Sequence, residues 1–506
     1  MNNLPFSLTD LQARYGNALK ADSVLIQDNF ALFLIQTEGH QKLAVLGESS
    51  DERLGMFQGT QLFFSEGYTL GLCPLTPANA MALRATLPNL QPRPLGLATS
   101  AGFGDRLGLA TPGHVRALRH VLKSAPAGVT ISPIFAQQSI REMTRSRRTP
   151  TQVLDDATWG AFEAGWHGPL GADADHLKNE MDIDQCVAAG FSFYTFDPGA
   201  YVYNEADSAS AADIREKVNA LPWEILESSE VDLQKRYGEQ RVDIGEAKID
   251  LTQEVSMRVA AKYGGAVAQV VKLYRHLAGK AVPFELEVSV DETETPTTPA
   301  EHYYIASELK RLGVKWVSLA PRFIGRFEKG VEYIGDLEQL QADLAIHAAI
   351  ARALGPYKVS LHSGSDKFNV YPLIVEATRG QVHLKTAGTS YLEALRTIAM
   401  VKPELFASIL ALARERYPTD RATYHVSAEL EKVPVITSLP QADWPTLLEQ
   451  FEARQVLHVT FGSVLAQFGD DLRATLQDYS AEYSETLVRH FTRHLEPFMQ
   501  FSGGTV

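Results

Sequence analysis

The chain has 506 residues, 45% of them apolar or aromatic and 21% charged, with 47 Lys plus Arg against 61 Asp plus Glu. That is enough apolar chain for a large core and two to four structural units. The net charge of −14 argues against nucleic acid, whose binding depends on neutralising phosphates, but allows a small anion held by local cations.

Cys73 and Cys186 are the only cysteines, too few for a disulfide framework or a cysteine-rich zinc site, which suits a reducing compartment. The N-terminus lacks a basic, then apolar leader, and the early apolar run Phe30 to Ile35 is too short to cross a bilayer. A soluble cytoplasmic protein with no membrane partner is expected.

Residues 1–93 read as an N-terminal α+β region, with aromatic and branched strands in NFALFLIQTE, QKLAVLG and TQLFFSEG, closed by Pro88, Pro92 and Pro94. From 94 to 401 strand and helix alternate. Eight strands are predicted, at 95–103, 128–135, 166–173, 191–197, 283–290, 314–321, 357–363 and 381–387. Helices between them show a 3.6-residue period, as in Val115, Leu118, Val121 and Leu122, and Thr111-Pro112 and Thr298-Pro299 look like helix starts. Eight such units predict a (β/α)8 TIM-type barrel, with an open doubly wound sheet as the other architecture. A charged helical insertion is expected at about 200–281, and residues 402–506 read as a mostly helical C-terminal region.

In such a barrel, chemistry gathers where strands end. The polar residues there are Asp105 and Arg106; Gln137, Gln138 and Ser139; Asp173, Asp175, His176 and Lys178; Asp197; Asp291, Glu292 and Glu294; Arg322; His362, Ser363, Ser365, Asp366 and Lys367; and His383 and Lys385. Taken singly, each reads as a helix cap or a loop charge; their convergence on one rim is the signal. His176, Glu292 and His362 follow alternate strands and offer donors that suit zinc, manganese, cobalt or nickel, with open positions for a substrate. Asp291, Glu294, His302 and Asp175 compete for the same role. His347 and His425 read as packing or surface residues, and His120, His490 and His494 as solvated helix faces. No Walker A loop, G-x-S-x-G elbow or H-E-x-x-H motif occurs.

The blocks SAGFGDRLGLATPGHVRA, SPIFAQQSIREM, GADADHLK, the long stretch from SVDETETPTTPAEHYY to GVEYIGDL, LHSGSDKF and HLKTAGTSYLEALR closely resemble the tagaturonate epimerase family. The resemblance implies a metal-dependent isomerase of hexuronate catabolism that interconverts D-tagaturonate and D-fructuronate, with some relatives acting on tagatose and fructose. It supplies the reaction; the residue roles rest on rim position. The two ketoses differ at the hydroxyl carbon β to the ketone, whose C–H the carbonyl does not acidify, so retro-aldol cleavage and re-addition is the expected route. The metal is expected on His176, Glu292 and His362. Asp105, Asp175 and Asp197 are the candidate acid/bases, and Lys385 would steady an oxyanion or, alternatively, form a Schiff base. Arg106, Gln138, Lys178, Arg322, Ser363, Asp366 and Lys367 are the substrate-binding candidates. A class II-type aldolase, a sugar-acid isomerase or a non-catalytic sugar-acid-binding protein are the alternatives, and homo-oligomerisation is left open.

Overall fold

Every position of the run Phe30–Ile35 is apolar because both faces of its strand are covered. In the computed structural model, which describes residues 6–37 and 39–499, this run belongs to β2 of a five-stranded antiparallel sheet. The strands are β1 (Leu19–Gln27), β2 (Phe30–Thr37), β3 (His40–Glu48), β4 (Thr60–Ser65) and β5 (Tyr68–Pro74), in the order β1-β2-β3-β5-β4. Phe30, Leu32 and Leu34 join the main core, while Ala31, Phe33 and Ile35 pack with Phe6 and Leu11 in a smaller one.

The alternating region continues with β6 (Ser100–Gly102), β7 (Ser132–Ser139), β8 (Gly171–Leu177) and β9 (Phe193–Phe196). After a hairpin of β10 (Gln240–Asp243) and β11 (Lys248–Leu251) come β12 (Glu285–Ser289), β13 (Ser318–Ala320), β14 (Lys358–Leu361) and β15 (Val382–Lys385). All eight predicted strands are present. Outside the hairpin they pair in parallel and close, β15 against β6, so the sheet has no free edge and the open alternative is excluded.

Three local expectations change. The strand predicted to end at 135 runs on to Ser139, and the one predicted to end at 173 runs on to Leu177, so Gln137, Asp175 and His176 lie on strands rather than in loops. Thr298 does cap the helix Pro299–Arg311 through a capping box with Glu301, but Ala110 occupies the cap of Thr111–Ser124, and its N–H is bound by Asp105. The insertion holds the β10–β11 hairpin beside the helices Ala211–Asn219, Glu230–Tyr237 and Gln253–Ala278. Ile249 and Leu251 alternate inward there and Gly245 supplies a positive φ of 82° at the turn, a period-2 signal masked by the surrounding charge.

The C-terminal helices Phe451–Val459, Phe461–Asp478 and Ser480–Leu495 lie against the barrel's own helices. Gly113 lets Ser480–Leu495 approach Thr111–Ser124: a Cβ at 113 would sit 2.6 Å from Leu487 Cδ1. His490 and His494 are buried, not solvated as their helical spacing suggested, because Asp366, Phe368 and Tyr371 cover their face. Among the described residues no helix is long and apolar enough to cross a membrane. Cys73 and Cys186 are both buried and free.

Helix Pro150–Glu163 starts with an exposed capping box, Thr149 with Gln152. Thr149→Ala is expected to lower stability by about 1 kcal/mol, seen as a lower urea midpoint at unchanged m-value, with catalysis intact.

Candidate functional site

Residues two apart on a strand share a face, so Asp173 and Asp175 of β8, Glu287 and Ser289 of β12, and His383 and Lys385 of β15 can enter the barrel in pairs. All six are buried. His176 should then point away from Asp175. Instead the β8–β9 register shifts between Ala174 and Leu177 and His176 takes φ 55°, a bulge that turns both neighbours toward the mouth.

The side chains interlock there. Lys385 Nζ lies 2.8 Å from Asp173 Oδ2, 2.7 Å from Asp175 Oδ1, 2.8 Å from Glu287 Oε1 and 2.6 Å from Thr195 Oγ1. Asp175 Oδ1 is also 2.7 Å from His176 Nδ1, and Glu287 Oε1 is 2.6 Å from His362 Nε2. The other nitrogen of each imidazole faces Asp291 Oδ1, His362 Nδ1 at 3.1 Å and His176 Nε2 at 3.5 Å. Glu292 lies on the outer side, 4.0 Å from His176 Nε2 and 3.2 Å from the Arg141 guanidinium.

Burial raises every carboxyl here, and the neighbours decide the outcome. The cations around Asp175 (His176, Lys385), Glu287 (Lys385, His362) and Asp291 (His362, His176) outweigh burial and hold all three well below the usual range. Asp173 is the exception: burial pushes it up to about 7 despite Lys385. Burial lowers the imidazoles and Lys385, but their carboxylates win and raise all three.

The donor set fits a borderline divalent ion. His176 Nε2 is a buried nitrogen with no hydrogen-bond partner, and separations of 3.1 and 3.5 Å to one carboxylate oxygen suit ligands about 2 Å from a shared ion. Each imidazole also rests its far nitrogen on a carboxylate, as metal-binding histidines do. The trio that meets most closely is therefore His176, Asp291 and His362, while Glu292 groups with His176 and Asp197. Asp291 and Glu292 are adjacent on one loop, and only the turn of that loop decides which carboxylate lies between the imidazoles.

Above the trio opens a cleft of about 270 Å³, lined by Asp291, Glu292, Arg322, Phe323, Phe327, Lys329, His362, Ser363, Tyr424 and His425 among others. Among the described residues the Arg322 guanidinium has no hydrogen bond or ion pair, although it faces Asp291 and Glu294; burial lowers its pKa. Lys329 Nζ donates to Ser363 Oγ at 2.7 Å. His425, read from sequence as a packing or surface residue, is exposed on this cleft wall.

The remaining predicted residues are engaged by other groups of the chain. Asp105 accepts from the N–H groups of Leu107, Gly108 and Ala110, which occupies both its oxygens in a loop. Arg106 is buried on Glu142 at 2.7 Å and stacked on Phe461. Gln138 accepts from Arg148, and Lys178 pairs with Asp197 at 3.0 Å. Lys367 donates to the carbonyls of Glu328, Val331 and Ser365, pinning the wall of the cleft from behind.

Asp366 is clamped by Arg454 at 2.7 Å and His490 at 2.7 Å, and its N–H donates to His494 Nε2. That last bond uses the His494 lone pair, so this second histidine–carboxylate cluster is a clamp on the loop after His362 rather than a metal site. His302 is bonded to His347 and Tyr357 in the core, away from the mouth, and His347 is fully buried.

Sequence reasoning missed Glu287, Arg141, Lys329 and Tyr424. Glu287 had a signal, an acidic residue at alternate positions of the buried run ELEVS, and Arg141 had one in its place two residues past the strand end at Ser139; Lys329 and Tyr424 reach the site from loops and had none.

The chain matches the family model described as tagaturonate epimerase over residues 20–498. It is 42% identical over 475 residues to the tagaturonate/fructuronate epimerase of Thermotoga maritima, covering 93% of this chain and 94% of that one. A glycerol-complexed crystal structure of the fructuronate-tagaturonate epimerase UxaE from Cohnella laeviribosi aligns with a TM-score of 0.89 at 33% identity, covering 97% of this chain and 98% of that chain. Its native form aligns with a TM-score of 0.88, also at 33% identity, over 96% and 98% of the two chains.

Proposed function

The chain belongs to the tagaturonate epimerase family, and from that membership we propose that it interconverts D-tagaturonate and D-fructuronate with a divalent ion in the barrel mouth. It is a carbohydrate epimerase, an isomerase, acting on a small-molecule substrate. The observation that carries the site reading is the pair of imidazoles, His176 and His362, backed by buried carboxylates and converging on Asp291. These three residues would hold zinc, manganese, cobalt or nickel. When bound, the ion supplies Lewis-acid stabilisation of negative charge on the sugar's ketone oxygen.

The rest falls to the chain. Glu292 stands on the cleft wall beside His176, and the charges of His176, Arg141 and Lys329 outweigh its burial to keep it ionised. In our reading Glu292 takes the proton of the β-hydroxyl. The electrons of that O–H bond form the new C=O, and those of the bond between the α and β carbons move onto the ketone side. An enediolate and an aldehyde result. The aldehyde turns, the enediolate carbon adds to its other face, and Glu292 returns the proton. Asp197, held by Lys178 behind Glu292, is the nearest further carboxylate.

Arg322 would bind the substrate's carboxylate, with Lys329 in the same cleft as a second cation. Phe323, Phe327 and Tyr424 line the cleft and would keep the fragments from water. Tagatose and fructose carry the same reacting carbons without the carboxylate, so weaker turnover of them belongs to this reading.

The test is turnover of tagaturonate in D2O followed by NMR, before and after chelation. Expected are fructuronate without deuterium on carbon, loss of activity on chelation, and recovery on adding the ion. Deuterium beside the carbonyl would instead mark enolisation, and accumulating three-carbon fragments would mark an aldolase.

A further inference from the structure

Lys385 is 3% exposed, at the bottom of the mouth. Its ammonium has three protons, and four acceptors surround it within 2.8 Å: Asp173, Asp175, Glu287 and Thr195. Two of those acceptor atoms also reach an imidazole. Asp175 Oδ1 also meets His176 Nδ1, and Glu287 Oε1 also meets His362 Nε2. One charge is therefore linked to both imidazoles through a single oxygen on each side.

From this arrangement we infer that Lys385 is a positioning residue that fixes the orientation and tautomer of His176 and His362 together, and is neither a Schiff-base nucleophile nor a donor to the substrate. The inference rests on the reading that His176, Asp291 and His362 hold the ion. A carboxylate accepting at the far nitrogen keeps the proton there and leaves the nitrogen facing Asp291 with its lone pair. Asp173, Asp175 and Glu287 crowd one buried space. Without the ammonium, like-charge repulsion would push them apart. That shift pulls an acceptor away from an imidazole, and the orientation that aims its other nitrogen at Asp291 is lost. A Schiff base requires a neutral amine with its own lone pair free, and here all the protons of Lys385 are engaged.

The experiment is titration of metal-stripped full-length protein with cobalt(II) alone, reading affinity and the visible d–d spectrum. Wild type is expected to bind one ion. Lys385→Met is expected to bind 10- to 100-fold more weakly with an altered spectrum, and Glu287→Gln to weaken binding by a similar factor. Because both act through one chain of contacts, the double variant should fall close to Lys385→Met rather than to the product of the two losses.

A folded Lys385→Met protein with wild-type affinity and spectrum overturns the inference and leaves the trio standing. Wild-type protein that binds no cobalt, or binding that survives His176→Ala and His362→Ala unchanged, overturns the trio and this inference with it. Should Lys385→Met not fold, Glu287→Gln and Asp175→Asn keep the lysine and the side-chain shapes: tenfold weaker binding supports the inference, and unchanged binding overturns it. Borohydride added during turnover should leave the protein's mass unchanged, and a reduced sugar adduct on Lys385 would also overturn it.

Discussion

His362→Ala is expected to lower kcat/KM for tagaturonate by about 10³-fold or more while the protein stays folded. The imidazole is one of two that converge on Asp291, so its loss breaks the trio. A bound ion stabilises developing charge by several kcal/mol, and about 4 kcal/mol corresponds to roughly a thousandfold in rate. Folding should survive because Glu287 Oε1, the partner His362 leaves behind, keeps Lys385 at 2.8 Å. Steady-state kinetics with a thermal melt as control is the measurement. A folded variant within tenfold of wild type would remove His362 from the chemistry.

Arg322→Leu should separate recognition from chemistry. The guanidinium lines the cleft without an ion pair and burial already disfavours its charge, so its removal should not weaken the fold. A charge-assisted hydrogen bond to a carboxylate contributes about 1.5–3 kcal/mol, so kcat/KM for tagaturonate should fall roughly 10- to 100-fold, mainly through KM. Tagatose has a hydroxymethyl group in place of the carboxylate, and its turnover should be unchanged or higher. Equal losses on both sugars would show that Arg322 serves the reacting carbons or the fold.

The barrel was legible because its signals are local. Each strand is a short apolar run with a turn at its end, and each intervening helix has its own 3.6-residue stripe, so eight units could be counted without knowing what touches what. The convergence of His176 and His362 was legible for the same reason: both sit at strand ends, and strand ends share a rim. The choice between Asp291 and Glu292 was not legible, because adjacent loop residues are separated only by backbone direction. Asp105 and Lys367 looked like site residues for a related reason. Position after a strand does not say whether a charged group meets substrate or is used up on backbone N–H and C=O groups.

By itself the sequence determined the order of the elements, the closed architecture they imply and the family resemblance, all properties of neighbours along the chain. Tertiary structure decided that Lys385 faces three carboxylates, that His490 and His494 clamp Asp366 instead of meeting water, and that Arg322 is left without an ion pair. The reason is that a charged side chain's role depends on which partners desolvate and neutralise it. Those partners come from strands and helices as much as 212 residues away, as with Asp173 and Lys385, and only closure of the barrel brings them within hydrogen-bonding distance.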